Sequence, residues 1–70
     1  MKPSYRDHLA RKLWLTRDDR TLTIADMSTD HILASLAKCQ RDNWRTAFIP
    51  IFLEELANRG FKSTHPELFV

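Results

Sequence analysis

The side chains that could carry out chemistry in this 70-residue chain are few and scattered. Asp18 and Asp19 are adjacent, and a carboxylate pair can act as general acid and base or bind a metal ion. Such pairs usually need a third ligand, or a pocket that shifts their pKa values. Here the pair stands between two arginines in a segment that predicts an exposed turn, where aspartate is favoured because it bonds nearby backbone amides. We therefore interpret both as turn residues.

The other candidates for metal binding or nucleophilic catalysis are three histidines and one cysteine, at His8, His31, His65 and Cys39. No two of them have the spacing of zinc ligands, and Cys39 lies too far along its predicted helix from His31 for a hydrogen bond. We interpret Cys39 as a small, partly buried helical residue and His31 as part of a helix start. A single glycine also excludes the usual phosphate-binding loops. The sequence predicts no enzyme, no metal and no cofactor.

Length and composition predict one small domain over residues 1–70. A chain of this size buries only about 60% of its unfolded surface, and one cysteine allows no internal disulfide. A hydrophobic content of 43% nevertheless argues against disorder. No apolar run approaches the roughly 18 residues of a membrane span, and the N-terminus lacks the apolar core of a signal peptide. We expect a soluble, cytoplasmic protein that does not contact membranes.

The segment LWLTRDDRTLTI, residues 13–24, predicts a β-hairpin. When Thr16 is placed opposite Thr21, the leucines and the isoleucine share one face, and Trp14 lies on the other face with the threonines. Helices must cover the aliphatic face, because a two-stranded hairpin is not stable alone. That face holds Leu13, Leu15, Leu22 and Ile24. Trp14 is then either covered by the N-terminal helix or tail, or exposed as an interface anchor.

Three helices are expected around this hairpin, which gives an α+β fold: a short N-terminal helix, then a two-stranded antiparallel hairpin packed on two α-helices. Ser4 and Asp7 form a weak capping box for the first helix, in residues 1–12. Ser28 fits the N-cap of a helix over about residues 29–40. Its buried stripe is expected to hold Ile32, Leu33, Leu36, Ala37 and Gln40.

The last predicted helix contains Pro50 and ends at Gly60, the expected left-handed residue, with Asp42 or Asn43 as its N-cap. A proline inside a helix removes one hydrogen bond, so either the helix kinks there or a short turn precedes a helix that starts near Ile49. The apolar stripe keeps its phase across the proline, which favours one kinked helix. The domain's core would thus span residues 13–60.

The tail, residues 61–70, shows no helical period. Phe61 is expected to close the end of the core helix. Leu68, Phe69 and Val70 are apolar residues at the end of the sequence. They would dock on the domain, add a strand to the hairpin edge, or contact a partner.

Charge is asymmetric along the chain, although the net charge is only +2. Residues 1–20 carry six Lys/Arg and three Asp, whereas residues 21–70 carry five basic and six acidic side chains. A basic N-terminal arm and hairpin would suit a small DNA-binding regulator that contacts phosphates. Its contacts would come from Lys2, Arg6, Arg11, Lys12, Arg17 and Arg20.

Residues 13–60 resemble a recurrent kind of small, uncharacterised bacteriophage and prophage protein. The resemblance rests on a W-x-T-x-D-G pattern, a strand that ends in Met, a His that opens a helix, and a closing E-L-x-x-R-G. The matching residues are Trp14, Thr16, Asp18, Met27, His31, Ile32, Glu55, Leu56, Arg59 and Gly60. Asp19 departs from the pattern, since glycine usually stands there, and this favours a longer loop than a two-residue turn. The resemblance implies phage origin rather than a mechanism.

We therefore expect a non-enzymatic accessory protein that binds a bacterial host or defence protein in the host cytoplasm and inhibits it. The partner-binding residues are predicted to be Trp14, Arg17, Arg20, Phe69 and Val70. The DNA-binding regulator is the alternative, and a self-associating structural protein held by the tail is a third.

Overall fold

The computed structural model describes residues 4–16 and 18–69. Its helices and strands, in chain order, are α1 (Tyr5–Arg11), β1 (Leu13–Leu15), β2 (Thr21–Thr23), α2 (Thr29–Asp42), α3 (Ile49–Asn58) and α4 (Phe61–Thr64). Short 3₁₀ turns cover Ile24–Asp26, Thr46–Phe48 and Pro66–Phe69. The strands form an antiparallel hairpin that packs against the helices, so the predicted α+β class is confirmed.

The first helix begins and ends at local signals. Ser4 Oγ accepts a hydrogen bond from the Asp7 backbone N–H at 3.2 Å, and the Asp7 carboxylate accepts one from the Ser4 N–H at 3.4 Å. This is the predicted capping box, in which two backbone N–H groups that have no acceptor within the helix are bonded by side chains. Lys12 is left-handed at φ 55° and turns the chain directly into β1.

The hairpin has a different register from the predicted one. Trp14 pairs with Leu22, not with Thr23, and Thr16 N–H donates to the Arg20 carbonyl at 2.7 Å. The connection therefore has three residues, 17–19, where the aliphatic pattern predicted four. A slip of one residue moves every side chain of one strand to the other face. The predicted aliphatic face is wrong, and Trp14 points into the core.

Asp18 and Asp19 are turn residues, as predicted. Thr16 Oγ1 donates to the Asp18 carboxylate at 2.5 Å, and Arg20 forms an ion pair with that carboxylate at 3.2 Å. Asp19 has φ 63°, a left-handed conformation that aspartate tolerates better than most residues. Arg17 lies outside the described residues.

Helix α2 begins at its predicted cap, because Ser28 Oγ accepts a hydrogen bond from the His31 N–H at 3.2 Å. It runs two residues further than expected, and its buried residues are Ile32, Ser35, Leu36 and Cys39. The predicted stripe was wrong at its end, since Ala37 and Gln40 are exposed. Asn43 ends α2 in a left-handed conformation at φ 50°, so it does not cap the following helix.

The predicted kinked helix is wrong. Residues 46–48 form a separate 3₁₀ turn, and Pro50 is the second residue of α3, as in the rejected alternative. No hydrogen bond is lost there, because first-turn amides have no partner within the helix. The apolar stripe keeps its phase because Phe48, in the turn, and Phe52, in the helix, enter the same core at 1% and 0% exposure.

This position of Pro50 can be tested by replacing it with alanine. We expect the free energy of unfolding to fall slightly, by less than about 1 kcal/mol, because alanine only restores freedom to the unfolded chain. A proline in a helix interior would instead have cost about 3 kcal/mol, which Pro50→Ala would recover. Urea unfolding followed by circular dichroism distinguishes the two results, and a large gain in stability would contradict the observed start of α3.

The tail is helical, contrary to the prediction that it lacks helical structure. Gly60 has the expected left-handed conformation at φ 90°, and α4 and the last 3₁₀ turn follow it. Phe61, Leu68 and Phe69 are half-buried against the core. Of the three alternatives for the tail, the described part therefore docks on the domain. Val70 lies outside the described residues.

One hydrophobic core joins the hairpin, α2 and α3. Its buried members are Trp14, Ile24, Met27, Ile32, Leu36, Cys39, Phe48, Phe52 and Leu56. Met27 and Ile32 have the spacing of a hydrophobic staple around the Ser28 cap of α2, and both are buried. No helix in residues 4–16 and 18–69 has the length and apolar character that crossing a membrane requires.

Candidate functional site

An open groove of about 540 Å³ lies between three parts of the chain. They are the end of β1 that leads into the hairpin connection, the first turns of α2, and the segment that joins α2 to α3. Residues from these three places line it, among them Trp14, His31, Ser35, Lys38, Trp44 and Arg45. Thr16 and Asp19 of the hairpin connection border the same opening. We refer to this feature as the Trp44 groove. The lining includes both tryptophans and an arginine, residue types that are enriched at protein interfaces.

Trp14 forms the inner wall of the Trp44 groove. Its side chain is only 4% exposed, and its ring makes edge-to-face contacts with Phe48 and Phe52 at centroid distances of 5.1 and 5.0 Å. The alternative of an exposed Trp14 anchor is therefore wrong. Trp14 belongs to the core, and it also supports the ring of Trp44 at 5.9 Å.

Trp44 is the exposed aromatic side chain of the groove, at 39%. The backbone on either side of it is left-handed, with φ 50° at Asn43 and 49° at Arg45. Its own N–H donates to the Cys39 carbonyl at 3.1 Å, which closes the end of α2. This double turn holds the indole at the rim of the groove.

Arg45 lies between the two tryptophans. Its guanidinium carbon is 4.2 Å from the ring centroid of Trp44 and 5.0 Å from that of Trp14, within the range of cation–π attraction. Its Nη1 donates to the Leu15 carbonyl at 3.1 Å. Two rings and one hydrogen bond thus fix a half-buried cation in the groove.

Lys38 adds a second cation above the groove. Its Nζ lies 5.4 Å from the Trp44 centroid and 3.3 Å from Asp42 Oδ2. Hydrogen bonds from Arg41 and Lys38 lower the pKa of Asp42, so this carboxylate is ionised at neutral pH. Lys38 therefore shares the Asp42 carboxylate with Arg41.

Cys39 is fully buried, more completely than the partly buried position that we expected. Burial raises the pKa of its thiol, and the nearby cations of Arg45 and Lys38 oppose this only in part. The thiol therefore stays protonated at neutral pH, and a thiol is a poor nucleophile. Among residues 4–16 and 18–69, no three His, Cys, Asp or Glu side chains converge as metal ligands would.

Of the predicted partner-binding residues that the structure describes, only Trp14 lines the groove. Arg20 is exposed just before β2, in its ion pair with Asp18, and Phe69 packs on the core from the tail. Arg17 and Val70 lie outside the described residues. Sequence reasoning missed Trp44 and Arg45 as site residues, because the four-residue spacing from Trp44 to Phe48 assigned Trp44 to a helix. Asn43 was the sequence feature that could have indicated a helix end before Trp44, because asparagine tolerates left-handed backbone.

The closing E-L-x-x-R-G pattern forms a structural clamp whose bonding residues do not line the Trp44 groove. Arg59 Nε pairs with Glu55 at 2.8 Å, Nη1 donates to Thr29 Oγ1 at 3.0 Å, and Nη2 donates to the Met27 and Ala25 carbonyls at 2.8 and 3.1 Å. These bonds join the end of α3 to the 3₁₀ turn after β2 and the start of α2. They explain in physical terms why an arginine precedes the left-handed Gly60.

Comparison of the chain with protein-family models, with curated proteins and with solved structures finds no match.

Proposed function

We propose that the chain is a non-enzymatic protein-binding module and that the Trp44 groove contacts its partner. The observation that carries this proposal is the half-exposed Trp44 ring, held at the rim of an open groove and supported by Trp14 and Arg45. Tryptophan and arginine are the residue types that most often dominate binding energy at protein interfaces. A rigid aromatic side chain also loses little conformational freedom when a partner covers it.

The resemblance to small phage proteins supports a more specific proposal about the partner and about the effect of binding. A phage accessory protein in the host cytoplasm would bind a bacterial host or defence protein and inhibit it by covering a functional surface. Small size is compatible with this role, because inhibition by occlusion needs an interface of only about 800 Å² per partner.

DNA binding is less well supported than protein binding. Of the basic residues that would form the DNA contact, Lys12 pairs with Glu54 at 3.3 Å and Arg20 with Asp18 at 3.2 Å. Lys2 and Arg17 lie outside the described residues. Phosphate binding depends on cations that are free to replace counterions, and these ion pairs reduce their number.

The protein-binding role predicts a specific loss on replacing Trp44 with alanine. Immobilised protein is incubated with bacterial lysate, and retained proteins are compared between the wild type, Trp44→Ala and Tyr5→Ala. Tyr5 is the matched control because it is another exposed aromatic residue, at 47%, outside the groove. We expect a protein retained by the wild type and Tyr5→Ala whose affinity for Trp44→Ala is at least about tenfold weaker.

Two results would contradict the proposal. One is retention that is equal for Trp44→Ala and the wild type, once circular dichroism shows that both are folded. The other is tight binding of random duplex DNA that falls steeply with salt, which would favour the regulator.

A further inference from the structure

Two arginines are half-buried in the described part of the chain, and they differ in how their donors are used. Arg59 gives hydrogen bonds to a carboxylate, a hydroxyl and backbone carbonyls. Arg45 donates to a single acceptor, the Leu15 carbonyl, and no acidic side chain among residues 4–16 and 18–69 lies within ion-pair distance of it. The Arg59 guanidinium therefore uses its N–H donors to join parts of the fold. The Arg45 guanidinium lies in an open groove and has further N–H donors for a ligand.

The geometry of Arg45 suits recognition of an anion. A guanidinium carries five N–H donors in a flat fork, which matches the two oxygens of a carboxylate. The two tryptophan rings and the Leu15 carbonyl already hold the fork in place, so a ligand need not order it. The same rings make the surroundings apolar, and an ion pair is stronger where water is partly excluded.

We infer that the Trp44 groove binds an acidic peptide segment of the partner, with a Glu or Asp carboxylate on Arg45 and a neighbouring apolar side chain against Trp44. Charge complementarity identifies this occupant, since an unpaired, half-buried cation favours an anion and the adjacent indole favours an apolar group. The inference rests on the proposed protein-binding role of the groove.

A peptide carboxylate fits the groove better than nucleic acid. Single-stranded nucleic acid carries a phosphate at every nucleotide and needs a row of unpaired cations that follows its backbone. In this groove Lys38 is paired with Asp42, so Arg45 is the one lining cation of the two without an acidic partner among residues 4–16 and 18–69. One such cation suits a single carboxylate better than a row of phosphates.

Titration with defined peptides tests the inference. The probes are pools of acetylated, amidated heptapeptides that share a central Glu-Phe, Gln-Phe or phosphoserine-Phe pair, together with a ten-nucleotide oligo-dT. Nitrogen-15 spectra follow the indole N–H groups of Trp14 and Trp44 and the Nε–H of Arg45. We expect the Glu pool to shift the signals of Trp44 and Arg45, and to bind at least about tenfold more tightly than the Gln pool.

Matched variants show whether Arg45 is responsible. Arg45→Lys keeps the charge but removes the fork, and we expect it to bind the Glu pool about tenfold more weakly. Arg6→Lys makes the same change at an exposed arginine of α1 and should bind like the wild type. Circular dichroism verifies that both variants are folded.

Several outcomes would overturn the inference. They are equal binding of the Glu and Gln pools, tighter binding of the phosphoserine pool or of oligo-dT, an absence of shifts with every probe, and an unchanged affinity of Arg45→Lys. None of these results tests the proposed function. That function is tested separately, by comparing how well the wild type and Trp44→Ala retain a protein from the lysate. Equal retention by Trp44→Ala would contradict the function whatever the peptides do.

Discussion

Replacing Trp14 with alanine is expected to leave most of the protein unfolded at 25 °C. Trp14 is 4% exposed and contacts both Phe48 and Phe52, so its removal empties the centre of the core. Truncation of a buried tryptophan to alanine typically costs about 3–5 kcal/mol. A single core in a chain of this size rarely supplies more than about 3–5 kcal/mol of stability. The loss is therefore comparable to the whole free energy of unfolding.

Urea unfolding followed by circular dichroism measures this effect, and Trp44→Ala is the matched control. Trp44 is the other tryptophan of the chain and is 39% exposed, so its removal should cost only about 1 kcal/mol. Equal losses for the two variants would contradict the different burial of the two rings.

Replacing Arg59 with alanine should have the next largest effect. The side chains of Arg59 and Glu55 are 20% and 21% exposed, and the substitution leaves the Glu55 carboxylate half-buried without its cation. Removing one partner of a buried ion pair costs about 3–5 kcal/mol, and the residual exposure here suggests a loss of about 3 kcal/mol. The backbone carbonyls of Ala25 and Met27 also lose their donor, so the start of α2 should loosen.

The two adjacent glutamates of α3 provide the control. Glu55→Gln removes the negative charge that faces Arg59, whereas Glu54→Gln removes a charge that pairs with Lys12 at the surface. The exposed pair should contribute no more than about 1 kcal/mol, because water and salt screen it. Urea unfolding should therefore rank Arg59→Ala as most destabilising, then Glu55→Gln, then Glu54→Gln. A similar loss for both glutamine variants would mean that the clamp adds nothing beyond a surface ion pair.

Local signals in the sequence predicted local structure well. Ser4 and Ser28 cap their helices, and Gly60 ends α3 in the left-handed region, because each depends only on residues within one turn. The hairpin register depends on loop length instead. A connection of three residues and a connection of four place the side chains of the same strand on opposite faces of the hairpin. The alternating pattern of leucine and threonine favoured the four-residue connection, whereas the structure has three.

The start of α3 was harder to predict for a related reason. The regular spacing of Trp44, Phe48 and Phe52 crosses three separate parts of the chain, namely the exposed link after α2, the 3₁₀ turn and α3, so spacing alone could not reveal the breaks between them. Pro50 did indicate the start of α3, since proline is favoured in the first turn of a helix. The groove depends on the break after α2, because the left-handed Asn43 and Arg45 bring Trp44 against the hairpin only after α2 has ended.

Trp14 belongs to both the core and the inner wall of the groove, so a partner bound at the proposed site would couple its binding to folding. A ligand that binds only the folded chain adds RT ln(1 + [L]/Kd) to its stability, about 2.7 kcal/mol at a hundredfold excess over Kd. For a domain of this size, that addition is a large part of its total stability. A chain free of its partner would expose its backbone to proteases far more often than a bound one. The abundance of the protein in the cell would then follow the abundance of its target.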